Sequence, residues 1–292
     1  MSETSWLALV VNDLHLTEAP PSGRLDTYFE QICRKMVEVA ELSQKCEVTV
    51  FTGDLFHHKV ARNVTHRTVR VLISLLKRVK NPYCILGNHD IIGGQSTTST
   101  RQPVGVVFES GHITKLTSLV VEDVELVGLD YSQEFEDGEK VVNLPLLQHR
   151  GRIVFMHSML SPWDDLRKKV RGPFTLVCYG HPHEREGLVN GFVNFGSLAR
   201  TSRAGFDRRL VGVTLIDREL TPHEVILKNQ KPWEEIFEKV ATEEEEAELR
   251  GVDEFLRAID EVVSEEGESI DKYLAGVSPE VRSRVLYYLG SL

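Results

Sequence analysis

Residues 6–86 alternate strand-like and helix-like segments in a way that leaves few folds open. A β-branched run, WLALVV (6–11), is followed by helical periodicity over about 25–43. EVTVF (47–51) comes next, then a second helical stretch over about 63–79, then PYCIL (82–86). This is a βαβαβ opening. Parallel strands cannot be joined by tight turns and need crossover helices, so the pattern predicts a parallel sheet. Ligands of such sheets gather where the carboxyl ends of the strands emerge.

After residue 100 the texture changes to runs that read as hairpin-like strands: LTSLVVEDVELVGLD, RIVFMH, FTLVCYG, LVNGFVNFG, RLVGVTLID and HEVILK. A second, mostly sheet layer is expected, with helices covering the outer faces of both. Two stretches, GGQSTTSTRQPVG after residue 92 and YSQEFEDGEKVVN after residue 130, read as mobile surface loops. The chain divides into a body, 1–228, and an acidic helical segment, 229–292. In that segment Val252, Phe255, Leu256, Ile259, Val262 and Val263 form one apolar stripe, and Val281, Val285, Leu286 and Leu289 form another.

Charge follows the same division. Residues 230–292 hold 17 acidic and 7 basic side chains, which accounts for the whole formal charge of -10. The body is neutral, with basic clusters at Arg62, Arg67 and Arg70, at Lys77, Arg78 and Lys80, at Arg167, Lys168, Lys169 and Arg171, and at Arg200, Arg203, Arg208 and Arg209. Each cluster reads either as a solvated face or as a site for a phosphate backbone, because binding follows local rather than total charge. The four cysteines, Cys33, Cys46, Cys84 and Cys178, lack the close pairing of zinc or redox motifs and read as reduced packing residues. No basic leader precedes WLALVV, and no apolar run approaches the roughly 20 residues that a membrane span needs. These features lead to the expectation of a cytoplasmic protein with no membrane partner.

Five motifs fall at the ends of the expected strands: DLH (13–15), GDLFH (53–57), GNHD (87–90), MHS around His157, and GHPH (180–183). Singly, each has an ordinary structural reading as a capped turn or a buried histidine. In this order and at these positions they form a set. Asp13, His15, Asp54, Asn88, His157, His181 and His183 offer oxygen and nitrogen donors with no thiolate, which suits manganese, iron or zinc. Seven donors are too many for one ion. They suit two divalent ions sharing a carboxylate, the arrangement that clamps a phosphorus centre between cations about 3.5–4 Å apart.

The ordered set DxH, GDxxH, GNHD, H and GHxH resembles the calcineurin-like metallophosphoesterases, over residues 5 to about 216. That resemblance implies a four-layer α/β/β/α sandwich of two mixed sheets, here followed by a short C-terminal helical appendage. It implies that Asp13, His15, Asp54 and His183 hold one ion and that Asp54, Asn88, His157 and His181 hold the other, with Asp54 as the bridge. His89 is then free of metal to act on the scissile ester, with Asp90 expected to fix its tautomer and hold its proton.

GDLFH, with the Arg24 and Phe29 spacing after DLHL, is similar to the Mre11/SbcD branch of DNA-repair nucleases. By that likeness the chain is a Mn2+-dependent DNA exonuclease or endonuclease, and His57 contacts or positions the nucleic acid. Arg200 and Arg203, in NFGSLARTSR, are expected either to meet phosphates or to pair with the acidic segment. The likeness also implies a homodimer through the helix at about 63–79. The apolar stripes of 250–290 are expected to dock on a Rad50/SbcC-type ATPase or to pack on their own core. A phosphodiesterase or phosphatase acting on small nucleotides or phosphoproteins is the alternative enzyme, and a metal-free scaffold is the alternative of another class.

Overall fold

The computed structural model describes residues 6–237, apart from 22, 60, 138, 160–167, 169 and 202–209. The apolar stripes of 250–290 and Arg203 lie outside the described residues. In chain order the first half contains β1 (Trp6–Val11), α1 (Tyr28–Ser43), β2 (Cys46–Phe51), α2 (His66–Leu76), β3 (Pro82–Cys84), α3 (Pro103–Glu109), β4 (Thr114–Lys115), β5 (Ser118–Val121) and β6 (Val124–Leu129). The second half contains α4 (Gln133–Glu136), β7 (Val142–Asn143), β8 (Gly151–His157), β9 (Val170–Arg171), β10 (Leu176–Gly180), β11 (Gly187–Val189), β12 (Phe192–Asn194), β13 (Gly212–Ile216), β14 (Pro222–Ile226) and α5 (Trp233–Ile236).

Two six-stranded mixed sheets result, ordered β14-β13-β1-β2-β3-β4 and β11-β12-β10-β8-β6-β5. The βαβαβ opening forms as expected, with β1, β2 and β3 parallel. The second sheet corrects the hairpin reading. Its centre is parallel, β6 to β8 to β10 to β12, and antiparallel pairing is confined to its edge strands β5 and β11. The long connections at 130–150 and 158–175 make this possible, because they carry the chain back to start each strand from the same end.

Alternation along the strands separates the layers. Ala8 and Val10 of the first sheet meet Leu126, Ile153, Phe155 and Val193 of the second in the inter-sheet core. Leu9 and Val11 face outward onto Ile32, Met36 and Val39 of α1, Leu72 and Leu76 of α2, and Val104 and Val107 of α3. Fully burying such a side chain contributes about 1.5–3 kcal/mol, so a one-residue register slip in a central strand would forfeit several of these at once. On the far side of the second sheet Val154, Met156, Val177 and Tyr179 are covered by Phe135 and Val170. Among the described residues that fourth layer is thin: four-residue α4 and the β7-β9 ribbon, in place of long helices.

The stretch after residue 92 is not the open loop that its Ser/Thr content suggests. Ser96–Arg101 forms a 3₁₀ helix, and Pro103 begins α3 at a position where its missing N–H costs nothing. The four cysteines are free thiols, three of them buried. No described helix is long and apolar enough to cross a membrane. The start of the C-terminal segment packs on the body: Glu38 of α1 accepts the Lys228 and Asn229 N–H groups at 2.9 Å, and Trp233, Ile236 and Phe237 are buried.

A buried amide joins the two sheets just below their carboxyl rim. Asn12, immediately after β1, accepts the Thr52 hydroxyl at 2.8 Å and donates to the Tyr179 carbonyl and to Asn194 Oδ1, both at 3.2 Å. Asn194 then donates to the Pro182 carbonyl at 2.9 Å, inside the GHPH turn. Every side-chain polar atom of this network finds a partner, as buried amides must. The network fixes the ends of β1, β2, β10 and β12 against one another.

Candidate metal centre

All five motifs emerge on this common rim. The loops after β1 and β2 are zipped together, with His15 N–H donating to the Asp54 carbonyl at 2.9 Å and Leu16 N–H to that of Leu55 at 3.0 Å. To turn their side chains inward, Asp13, His15, Asp54 and His181 take positive φ values of 48°, 44°, 52° and 89°. Non-glycine residues avoid this region at a cost of order 1–3 kcal/mol each, and they persist in it only where the surroundings over-determine them.

The side chains converge in overlapping groups. Donor atoms of Asp13, His15 and His183 lie within 4.8 Å of one another, as do those of Asp54, His157 and His181, and those of His15, Asp54 and His89. Asp54 Oδ2 stands 3.5 Å from His15 Nε2 and 3.4 Å from His157 Nε2, between the first two groups. Asn88 Oδ1 is 3.0 Å from His157 Nε2. The structure therefore brings together all seven side chains read from the sequence as ligands, and it puts Asp54 in the middle.

Supporting contacts aim the donors. His157 Nδ1 donates to the Thr52 carbonyl at 2.7 Å, which leaves Nε2 to face Asp54. His183 Nδ1 lies 3.3 Å from the Thr201 hydroxyl, while its Nε2 is 2.8 Å from His15 Nε2. Asp13 Oδ1 accepts the His181 N–H at 3.0 Å and so couples the first strand to the fifth motif. Two glycines permit the approach. A Cβ at Gly87 would sit 2.1 Å from Asp54 Oδ1, and one at Gly53, whose φ is +97°, would sit 2.5 Å from Gly87 N and 2.9 Å from His157 Nδ1.

The electrostatics fit a cation. Burial opposes charge on His157, yet Asp54 and Asp13 outweigh it and raise its pKa to about 9, so a proton is held where positive charge is wanted. Burial and the neighbouring His183 push His15 well below its ordinary value. Burial and His157 do the same to His181. Burial alone would raise Asp54, but His157, His89 and His15 bring it well below the usual carboxylate range. An anionic carboxylate beside the neutral imidazoles of His15 and His181, with His157 carrying a proton that a bound cation would displace, is a donor set for divalent metal ions.

His89 and Asp90 part company. His89 Nδ1 donates to the His57 carbonyl, so the ring nitrogen left for chemistry is Nε2. Asp90, expected to orient His89, does something else: its carboxylate accepts the N–H groups of Asp54 at 2.7 Å, Gly87 at 2.9 Å and Leu55 at 3.2 Å. The cause is the turn itself. Asp90 N–H closes on the Gly87 carbonyl at 3.1 Å, and this folds the carboxylate under the loops while the imidazole faces the opposite way. Burial and the adjacent Asp54 push Asp90 up to about 7. Removing it strands three N–H groups, each costing about 1–3 kcal/mol. Asp90→Ala is therefore expected to lower the melting temperature measurably and to lose metal, and a stable, metal-replete variant would show that it has no such role.

His57 lies beside the centre. Its ring stacks on His89 at 6.1 Å and meets His15 edge-on at 5.5 Å. Burial and His89 drive its pKa down to about 3. Of the two settings expected for Arg200, contact with phosphate or pairing with the acidic segment, its bonds fall on the side of the segment, to an amide and a backbone carbonyl rather than to a carboxylate. Only 1% exposed, it donates to the Lys231 carbonyl at 3.0 Å and to Gln230 Oε1, and so ties the loop behind Asp13 to the start of the C-terminal segment. Its distance in sequence from residues 230–231 hid this. Sequence reasoning also passed over Asn12, Thr52 and Tyr131, whose importance comes only from what they touch.

A search of curated proteins finds no match. Among solved structures, the chain is similar to the protein TT1561 of Thermus thermophilus, with a TM-score of 0.42 and 12% identity over 76% of this chain and 99% of that one. A 5'-nucleotidase precursor from the same organism gives 0.40 and 14% over 75% of this chain and 48% of that one. Pseudomonas putida nuclease MPE gives 0.31 and 18% over 71% and 84%. The profile of the calcineurin-like phosphoesterase family matches residues 8–185, more than half of the sequence and the whole span from Asp13 to His183, and the chain belongs to that family.

Proposed function

We propose that the protein is a two-metal phosphodiester hydrolase acting on DNA, a nuclease of the Mre11/SbcD type using Mn2+. The observation that carries the hydrolase reading is the Asp54 carboxylate set between two imidazole clusters, with His89 beside it. Asp13, His15 and His183 with Asp54 would hold one ion, and Asn88, His157 and His181 with Asp54 the other. When bound, such ions neutralise phosphoryl charge and lower the pKa of water enough to give a nucleophile near neutral pH.

The remaining work falls to the chain. Burial, with Lys59 and His157 adding to it, brings His89 down to about 4, so near neutrality the ring is uncharged, with Nδ1–H on the His57 carbonyl and a lone pair on Nε2. Phosphate charge brought next to it favours the imidazolium, which can then give its Nε2 proton to the leaving oxygen. The His57 carbonyl holds the ring in place throughout, because it accepts from Nδ1 in either charge state.

The DNA reading is supported by GDLFH and by the groups flanking the site. His57 is half-buried with its ring stacked on His89, half-buried His58 meets the His57 ring at 5.2 Å, and Arg67, with 71% of its side chain exposed, reaches Glu18 at 3.5 Å on the loop that carries His15. Arg62 and Arg70 are exposed nearby in sequence. The test is cleavage of single- and double-stranded DNA, bis-p-nitrophenyl phosphate and cyclic nucleotides with Mn2+. DNA cleavage that falls steeply with added salt is expected. Turnover of the small esters with none of DNA would leave a small-molecule phosphodiesterase instead.

Two partner readings accompany this one. The exposed side of α2 is proposed as a homodimer contact, and a monomer in sedimentation would remove it. Docking of residues 250–290 on a Rad50/SbcC-type ATPase is proposed from the apolar stripes alone, and undiminished ATPase binding by a chain truncated after Phe237 would count against it.

A further inference from the structure

We propose that Tyr131 forms an aromatic wall of the substrate cleft on the His157–His181 side and selects phosphate esters that carry a flat heteroaromatic ring close to the phosphorus. The inference rests on the phosphoesterase reading and narrows its substrate class. Tyr131 stands just beyond the carboxyl end of β6, on the same rim as the metal-ligand motifs. Its backbone N–H donates to the Leu86 carbonyl at 2.8 Å, next to the GNHD turn. The ring meets His181 at 5.7 Å and 63° and His157 at 6.1 Å and 73°, edge-on in both cases. Among the described residues it is the one non-histidine ring in contact with the ligand imidazoles.

The ring is fixed at both ends. At one end is the Leu86 contact; at the other its hydroxyl donates to Gln133 Oε1 at 2.7 Å, and Gln133 donates onward to Asp137 Oδ1 at 2.9 Å. Gly94 closes over this strut, where a Cβ would come within 3.1 Å of Gln133 Cβ. A half-buried aromatic ring held this firmly loses little entropy when another ring is laid against it. Every nucleobase offers such a face, and the contact tolerates any base sequence. The opposite flank is made of imidazoles, His57 stacked on His89.

The test is calorimetric titration of the full-length, Mn2+-loaded protein with thymidine 5'-phosphate and with methyl phosphate, using wild type, Tyr131→Leu and Tyr131→Phe. The wild type is expected to favour the nucleotide, and Tyr131→Leu to cut that preference by about 10-fold, the size of one base–aromatic stack. Tyr131→Phe keeps the ring and is expected to retain most of the preference. No preference in the wild type, or equal weakening of both ligands by Tyr131→Leu, would overturn the inference. Wild-type turnover of bis-p-nitrophenyl phosphate reads the phosphodiesterase assignment separately, so either result can fail without the other.

Discussion

Asp54→Ala is expected to leave the protein folded but unable to hold two ions, and to lower turnover of bis-p-nitrophenyl phosphate by about 1,000-fold or more. The carboxylate is 1% exposed and stands within 3.5 Å of imidazole nitrogens from both clusters, so no other side chain can take over its position. Its Oδ1 also accepts the His89 N–H at 2.8 Å, and its loss therefore loosens the GNHD turn as well. Charge neutralisation of a transferring phosphoryl group by bound metal contributes several kcal/mol, and each 1.4 kcal/mol or so is a factor of about ten in rate. Elemental analysis and turnover on one preparation provide the measurement. Two ions per chain in the variant would mean that Asp54 is not the bridge.

His89→Ala is expected to behave in the opposite sense, keeping both ions while turnover falls by about 100-fold or more, the usual size of a lost general acid. The imidazole hangs from the His57 carbonyl, and its backbone N–H remains on Asp54 in the variant, so the ligand shell has no reason to move. The loss should be largest for esters with poor leaving groups, which need the proton most, and smallest for p-nitrophenyl esters. A variant that loses metal, or one equally impaired on both classes of ester, would assign His89 to the metal shell. The His89 and His15 ring centroids are 4.9 Å apart, so metal content is the readout that separates the two roles.

The ligand set is legible because each motif sits at the end of a strand, and the βαβαβ opening announces parallel strands whose carboxyl ends share a rim. The order of motifs carries the identification: Asp13, Asp54 and Asn88 from the first sheet, His157, His181 and His183 from the second. Where sequence reading errs, it lacks the third dimension. The 151–157 and 176–180 strands read as hairpin partners because alternation says which side chains share a face and nothing about which end the next strand starts from. Asp90 is given to His89 because they are neighbours in sequence, whereas the turn sends their side chains apart. Arg200 stays undecided between substrate and the acidic segment because its partners at 230 and 231 are far along the chain.

Sequence alone determined the chemistry available here: seven oxygen and nitrogen donors, glycines wherever backbone must approach backbone, and apolar periodicity sufficient for two sheets and their helices. Tertiary structure decided which atoms of those groups meet. Asn12 pulls the two sheets into one rim, the zipped loops hold Asp13, His15 and Asp54 at positive φ, and carbonyls at Thr52 and His57 choose the outward nitrogen of the His157 and His89 rings. Such choices depend on hydrogen bonds between segments up to 182 positions apart, which no local pattern encodes.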